Sequence, residues 1–185
     1  NLNIKLLIPY IIGSIPFSFI GGSILIDEKL FEIILFIVLI IAGIFLLIES
    51  KSFNKNDLKL KKIPIILSII IGSILGFISG VVGIGGGIFL SPILFLLKAG
   101  YPKQIATTAS LFILINSLFG ITGQLTKDTV YNEIIDYWPL FVVVFIGGQI
   151  GNVLNLKFFS NKILTLITSL LVIFVAIRMG LRLLS

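Results

Sequence analysis

Six runs without Asp, Glu, Lys or Arg place the strongest constraint on what this chain can fold into. Each run is 15 to 35 residues long. A bilayer core of about 30 Å is crossed by roughly 20 apolar residues in a helix. The runs therefore predict several membrane-spanning helices rather than a water-soluble domain. They cover residues 6–26, 33–48, 63–97, 104–126, 137–156 and 163–177.

The overall composition supports the same conclusion and excludes several kinds of chemistry. The 185 residues are 57% apolar and 12% charged, whereas soluble domains average about 25% charged residues. The chain has no His and no Cys, which excludes a His or Cys metal site, a Cys nucleophile, a Ser-His dyad and a disulfide. We predict an all-α, polytopic transmembrane bundle that is not an enzyme and needs no metal or cofactor.

The run 63–97 is too long for a single crossing. As one continuous helix its 35 residues would extend about 52 Å. Four of the five residues 83–87 are glycine, and each glycine disfavours a helix by about 1 kcal/mol relative to alanine. The run is therefore predicted to divide there into a full crossing and a shorter, re-entrant half-helix. Pro92 is expected to interrupt the second piece further.

The charged residues between the runs predict how the chain lies in the membrane. Lysines fill residues 51–62, 98–103 and 157–162, whereas six of the eight acids fall in 27–32 and 128–136. Because cytoplasmic loops are rich in Lys and Arg, we expect a multi-pass protein of the plasma membrane whose loop 51–62 is cytoplasmic.

Two consequences of this topology can be checked. The run 63–97 must begin and end on the same side, as a crossing followed by a returning half-helix would. Arg178 and Arg182 fit poorly, because they are placed near the outer face. The net charge of +6 comes mostly from loop lysines, which we expect to meet anionic lipid rather than nucleic acid.

A long internal repeat is visible when the first part of the chain is compared with the last. Pro9 aligns with Pro139, and at the same offset Gly21 aligns with Gly151. Each pair is followed by a short charged loop and another apolar helix. The alternative is chance similarity between two apolar helices. If the repeat is real, the glycine-broken part of its first copy would lie upstream of residue 1. The predicted division is 1–50 as the last two helices of a first repeat, 51–62 as a basic loop, and 63–185 as a second repeat with elements at 63–98, 104–126, 137–156 and 161–182.

Glycines carry the strongest local signal. Gly72, Gly76 and Gly80 recur every four residues, a spacing that lets another helix approach closely, and we assign them, with Pro92, a structural or hinge role. The block 83–87 differs, because non-helical backbone at membrane depth occurs only where it is buried in protein or lines a cavity. The amide groups that begin the following half-helix would form an anion site. The alternative is that these glycines serve packing alone.

Small polar residues on the next helix form a second candidate group. Thr107, Thr108, Ser110 and Asn116 interrupt a helix that is otherwise rich in Leu, Ile and Phe. Such side chains either line a hydrophilic path or bond neighbouring helices, and the sequence leaves both open. No ionisable residue lies in the middle of any run, so the chain shows no proton relay of the usual kind.

The segment 76–92 (GFISGVVGIGGGIFLSP), followed by Ala106–Ser110 and Asn116-Ser-x-x-Gly120, resembles the sulfite exporter TauE/SafE family of membrane transporters. The resemblance is strong over residues 72–125 and weaker elsewhere. It implies two related halves and small organosulfur anions as substrates. An earlier copy of the glycine motif, which the family has, is absent from residues 1–62. The matching positions are Gly80, Gly83, Gly85, Gly86, Gly87, Pro92, Thr107, Thr108 and Ser110.

We therefore expect an integral membrane transporter of a small anion such as sulfite or a sulfonate. Two alternatives stay open: a channel for anions or small solutes, and a non-transporting scaffold subunit. The expected partners are the lipid bilayer and the anion, and assembly into a homo-oligomer is compatible with the sequence. The predicted substrate-binding residues are Gly83, Gly85, Gly86, Gly87, Thr107, Thr108, Ser110 and Asn116.

Overall fold

A computed structural model describes residues 3–51, 60–127, 138–158 and 161–184, and these segments form seven helices and no strand. Four helices are long and apolar enough to cross a membrane, at Ile4–Ser23, Ile65–Val82, Lys103–Gln124 and Leu166–Leu183. The predicted polytopic all-α fold is confirmed. The helices are α1 (Ile4–Ser23), α2 (Glu28–Lys51), α3 (Ile65–Val82), α4 (Gly87–Leu96), α5 (Pro102–Gln124), α6 (Trp138–Phe158) and α7 (Asn161–Leu184).

Small residues bring the backbones of α1 and α3 into direct contact. Every fourth residue of α3 from Gly72 to Gly80 is a glycine, and a Cβ atom added to any of the three would collide with α1. Each partner position precedes its glycine by the same separation in sequence, so the two helices run parallel. The contacting pairs are Gly72 with Tyr10, Gly76 with Ser14, and Gly80 with Ser18.

Helix α5 completes a parallel three-helix core. At one end a Cβ on Gly123 would collide with the carbonyl oxygen of Phe19, and at the other a Cβ on Gly100 would lie 3.3 Å from Leu6 Cδ2. The three helices therefore begin at the same end of the bundle. That end carries Lys5, Lys61, Lys62, Lys98 and Lys103.

The run 63–97 divides at its glycines, as predicted. Helix α3 ends at Val82 and α4 begins at Gly87. The Lys61 amide donates to the Lys98 carbonyl oxygen at 3.0 Å, which confirms that the run begins and ends at the same side. The ten residues of α4 rise about 15 Å, half the thickness of a bilayer core.

Pro92 does not interrupt α4. The helix continues through it to Leu96, so that part of the prediction is wrong. Proline removes one amide donor, the one that would reach the carbonyl four residues earlier. The neighbouring turns keep their own bonds, as the Leu97 amide does to the Ile93 carbonyl at 2.9 Å, and the short helix persists.

Helices α2 and α7 form a second, antiparallel pair. Gly43 lies against Ile173, and Gly180 lies against the ring of Phe36. Arg182 Nη1 lies 3.3 Å from Glu32 Oε1. The poor fit of Arg182 to the charge pattern is thereby explained, because its guanidinium sits with an acid at the start of α2. Helix α4 packs against both α2 and α5 and joins the two groups.

Several charge-pattern predictions concern residues beyond those described. Residues 52–59 of the predicted basic loop and the acidic stretch 128–136 both lie outside the described segments. The division of the chain into repeats also stays a prediction.

The α1–α3 contact predicts opposite effects for two alanine substitutions. Gly80→Ala should lower the thermal stability of the protein in detergent, because its Cβ would collide with the Ser18 carbonyl oxygen and overpacking costs about 1–3 kcal/mol. Gly120→Ala is the matched control. Its Cβ would lie 3.6 Å from Gly80 Cα, an ordinary contact, while the helix gains about 1 kcal/mol of propensity. Equal melting temperatures for the two variants would contradict the packing described.

Candidate site at the glycine break

The backbone between α3 and α4 adopts a conformation that only glycine accommodates readily. Gly83, Gly85 and Gly86 have φ angles of 76°, 77° and 67°. This left-handed region costs other residues about 1–2 kcal/mol each. Three of the four glycines in the block are thus explained by conformation, and Gly87 by space, since its Cβ would collide with the Ile113 side chain.

Amide groups in the break are left without acceptors. Gly83 donates to the Ser79 carbonyl oxygen at 2.7 Å, and Gly87 donates to that of Gly85 at 2.9 Å. The remaining amides between them, and the next one along α4, have no acceptor among the described residues. These belong to Ile84, Gly85, Gly86 and Ile88.

These unpaired donors give the break a positive electrostatic character. Helix N-termini and runs of successive backbone N–H groups attract anions. No charged side chain occurs between residues 63 and 97, so neither a carboxylate nor a cation from this segment alters that potential. Residues 85–87 are buried, and buried amides normally find a partner. The break is therefore a candidate site for an anion.

The break lies about halfway through the bundle, between α3 and α5. A Cβ on Gly86 would be 3.1 Å from Ser79 Cβ and 3.2 Å from Phe112 Cε1, and one on Gly85 would be 2.9 Å from Ser117 Oγ. Phe112 is the eleventh residue of α5, about 15 Å along the helix. This distance is half of the roughly 30 Å thickness of a bilayer core.

Three buried side-chain atoms on α3 and α5 also lack partners among the described residues: Ser79 Oγ, Thr108 Oγ1 and Asn116 Oδ1. Asn116 and Thr108 are wholly buried, and Asn116 Nδ2 donates to the Phe112 carbonyl oxygen at 2.8 Å. Thr108, Phe112 and Asn116 are four residues apart and share one face of α5. A buried polar group left unpaired costs about 1–3 kcal/mol. The site thus combines unpaired backbone donors with unpaired side chains.

The structure brings together some of the predicted site residues and separates others. Gly85, Gly86, Gly87, Thr108 and Asn116 are buried in the core, and Gly83 is exposed at its edge.

Thr107 and Ser110 lie on another side of α5. Their hydroxyls donate within the helix, to the Lys103 carbonyl at 2.8 Å and the Ala106 carbonyl at 2.9 Å. Ser110 is exposed. Their predicted role in binding stays a prediction.

Ser79 was not among the predicted binding residues, although it lies beside Gly86. Its signal in the sequence is weak, because serines are common in glycine-rich helices that merely pack closely. Only the reversal of the chain at 83–86 brings Gly86 back against the last turn of α3. That reversal places a serine hydroxyl near the start of α4.

An open depression of about 570 Å³ lies elsewhere, at the C-terminal end of α7. It shares no residue with the break. It includes the Arg182 that pairs with Glu32 and belongs to the surface of that helix pair. Its lining residues are Val175, Arg178, Met179, Leu181 and Arg182.

Comparison with known proteins assigns the chain. The model of the family described as "Sulfite exporter TauE/SafE" matches residues 1–179. The chain belongs to the TauE/SafE family. The match extends well beyond the glycine motif and confirms the resemblance seen in residues 76–120. No solved structure matches the chain.

Two curated relatives carry transporter names. The probable membrane transporter protein y4hK of Sinorhizobium fredii is 28% identical over 166 residues, which cover 88% of this chain and 66% of the relative. The probable membrane transporter protein MJ0441 of Methanocaldococcus jannaschii is 32% identical over 177 residues, which cover 91% of this chain and 62% of the relative. The TauE/SafE chain thus spans slightly less than two thirds of the length of these relatives.

Two glycines of the break allow backbone strain to be separated from crowding. Gly83→Ala introduces only the strain of a positive φ, because nothing lies within 4 Å of its Cβ. Gly86→Ala introduces the same strain and also crowds Ser79 and Phe112, at 3.1 and 3.2 Å.

We expect thermal unfolding in detergent to show Gly86→Ala as the less stable variant. Both variants should melt below the unsubstituted protein, since each pays about 1–2 kcal/mol for the left-handed backbone. If Gly83→Ala melted at or below Gly86→Ala, the close packing of the break against Ser79 and Phe112 would be disproved.

Proposed function

We propose that this TauE/SafE chain is part of a plasma-membrane carrier for a small oxyanion of the sulfite or sulfonate class, and that the anion binds at the glycine break. One observation carries the proposal: amide donors without acceptors lie beside the unpaired, buried hydroxyl of Ser79, about halfway through the bundle. The names of the relatives support membrane transport but specify no substrate.

The donors suit an anion with several oxygen atoms. Sulfite and sulfonates present three oxygens around one sulfur, each able to accept more than one hydrogen bond. The amides of residues 84–86 and 88 and the hydroxyls of Ser79 and Thr108 are donors free to meet them. Hydrogen bonds to an ionised acceptor are roughly twice as strong as neutral ones. Binding without a fixed cation would remain weak enough for release.

The position of the site suits alternating access. Secondary transporters bind substrates near the bilayer midplane, where discontinuous helices expose their termini. Helix α4 begins at about that depth, and α3 and α5 flank its first residue. We propose that the end of the bundle bearing Lys61, Lys62 and Lys98 is cytoplasmic, in line with the positive-inside rule.

The proposal predicts a specific loss of transport when the unpaired hydroxyls are removed. Ser79→Ala and Thr108→Val should each lower the uptake of radiolabelled sulfite or methanesulfonate into proteoliposomes by at least about tenfold, because a hydrogen bond to a charged group contributes about 1.5–3 kcal/mol. The protein should be reconstituted from its complete reading frame, since relatives are longer than this chain.

Matched controls are available for both substitutions. Thr122→Val also lies on α5, and its exposed hydroxyl donates within the helix to the Phe119 carbonyl oxygen at 2.8 Å. Ser23→Ala removes an exposed hydroxyl that donates to the Ile20 carbonyl oxygen at 2.9 Å. Neither should change uptake. Wild-type uptake by folded Ser79→Ala and Thr108→Val proteins would refute the site. Uptake that never saturates with anion concentration would favour a channel.

A further inference from the structure

Helix α6 packs closely against no other helix among the described residues. Every described side chain from Trp138 to Gly151 is exposed. Gly147, Gly148 and Gly151 have nothing within 4 Å of an added Cβ, whereas nearly every glycine of the α1–α3–α5 core meets a neighbouring element there. An apolar helix that carries small residues for close approach thus presents them to no partner.

The α2–α7 pair shows how the two halves of the chain are related. Gly43 packs against Ile173, and these two positions are separated in sequence by the same offset that aligns Pro9 with Pro139. Equivalent positions contact each other where a two-fold axis passes, as in an isologous interface.

The rest of the pair keeps to that symmetry. Phe36 meets Gly180, and Glu32 meets Arg182, so the helices run antiparallel about the Gly43–Ile173 contact. A two-fold axis through this contact exchanges α2 with α7. The same rotation would exchange any other two segments separated by the repeat offset, and the two would run in opposite directions through the membrane. This contact is independent of the residue matches that first suggested the repeat.

The same operation relates α6 to α1. Gly151 corresponds to Gly21, whose Cβ would collide with the Phe77 carbonyl oxygen of α3, and Gly148 corresponds to Ser18, which packs against Gly80. Helix α1 is held by α3 and α5. The partners of α6 would therefore be the first-repeat counterparts of α3 and α5. Subtracting the repeat offset from the residue numbers of α3 and α5 places these counterparts before residue 1 in the sequence.

We infer that the glycine face of α6, formed by Gly148 and Gly151, docks a first-repeat counterpart of α3 and α5 supplied by the same polypeptide upstream of residue 1. About a third of each curated relative lies outside the match. In the first relative, this unmatched part is about half as long as the 166 matched residues. It is therefore longer than the 60 residues from Ile65 to Gln124 that form α3, α4 and α5 here, and could hold counterparts of these helices. This contact does not depend on which substrate is carried.

A pair of alanine substitutions tests the docking. In the protein made from its complete reading frame, Gly151→Ala should lower the melting temperature in detergent, because its Cβ would collide with the helix docked on the glycine face of α6. Gly147→Ala should not, since its counterpart Phe17 is 42% exposed.

A cysteine variant separates the upstream segment from a second copy. The chain contains no cysteine, so Gly151→Cys, with any upstream cysteine changed to serine, introduces a single thiol. Oxidation of the complete protein in membranes should leave a monomer, and oxygen accessibility of a spin label at 151 should be lower than at Ile150.

Any of four results would overturn the inference: equal melting of the two complete alanine variants, a disulfide-linked dimer, equal oxygen accessibility at 150 and 151, or a reading frame without a second glycine-broken segment upstream.

Discussion

The close contact between the α1 and α3 backbones sets the rest of the architecture. Apolar side chains gain little by leaving lipid for protein, so helices in a membrane associate through close packing of small residues. Here three glycines at intervals of four meet Tyr10, Ser14 and Ser18. This contact fixes α3 in depth and direction. The depth of the glycine break, and of the α4 start that follows it, is a consequence.

The glycine break that follows α3 places unpaired polar groups inside this packed bundle. Positive φ angles at three glycines turn the chain back within four residues and leave amides without helical partners. In water such amides would be solvated. In the core of a bundle they are costly, and they gather beside the unpaired hydroxyl of Ser79. One local feature of the backbone thus produces both the reversal of the chain and the polarity at its tip.

Much of the fold was predictable from the sequence, because the length of each uncharged run and the charges at its ends can be determined from that segment alone. The division of run 63–97 and its return to the same side follow from its length, its glycines and its lysines. The continuation of α4 through Pro92 was not predicted, because the rule that proline breaks a helix overestimates the effect of losing one amide donor. Ser79 and the separation of Thr107 from Thr108 depend on how α3, α4 and α5 face one another, which no single segment specifies.

The Lys61–Lys98 backbone bond has a mechanical consequence for the α3–α4 hairpin. It fastens the two arms at their lysine-bearing end, while the tip carries the glycines. A hairpin clamped at its base and pliable at its tip can flex only where its residues lack Cβ atoms. A movement that opened the tip to one side of the membrane would therefore bend the hairpin at its glycines, because its base is joined and α3 is held against α1.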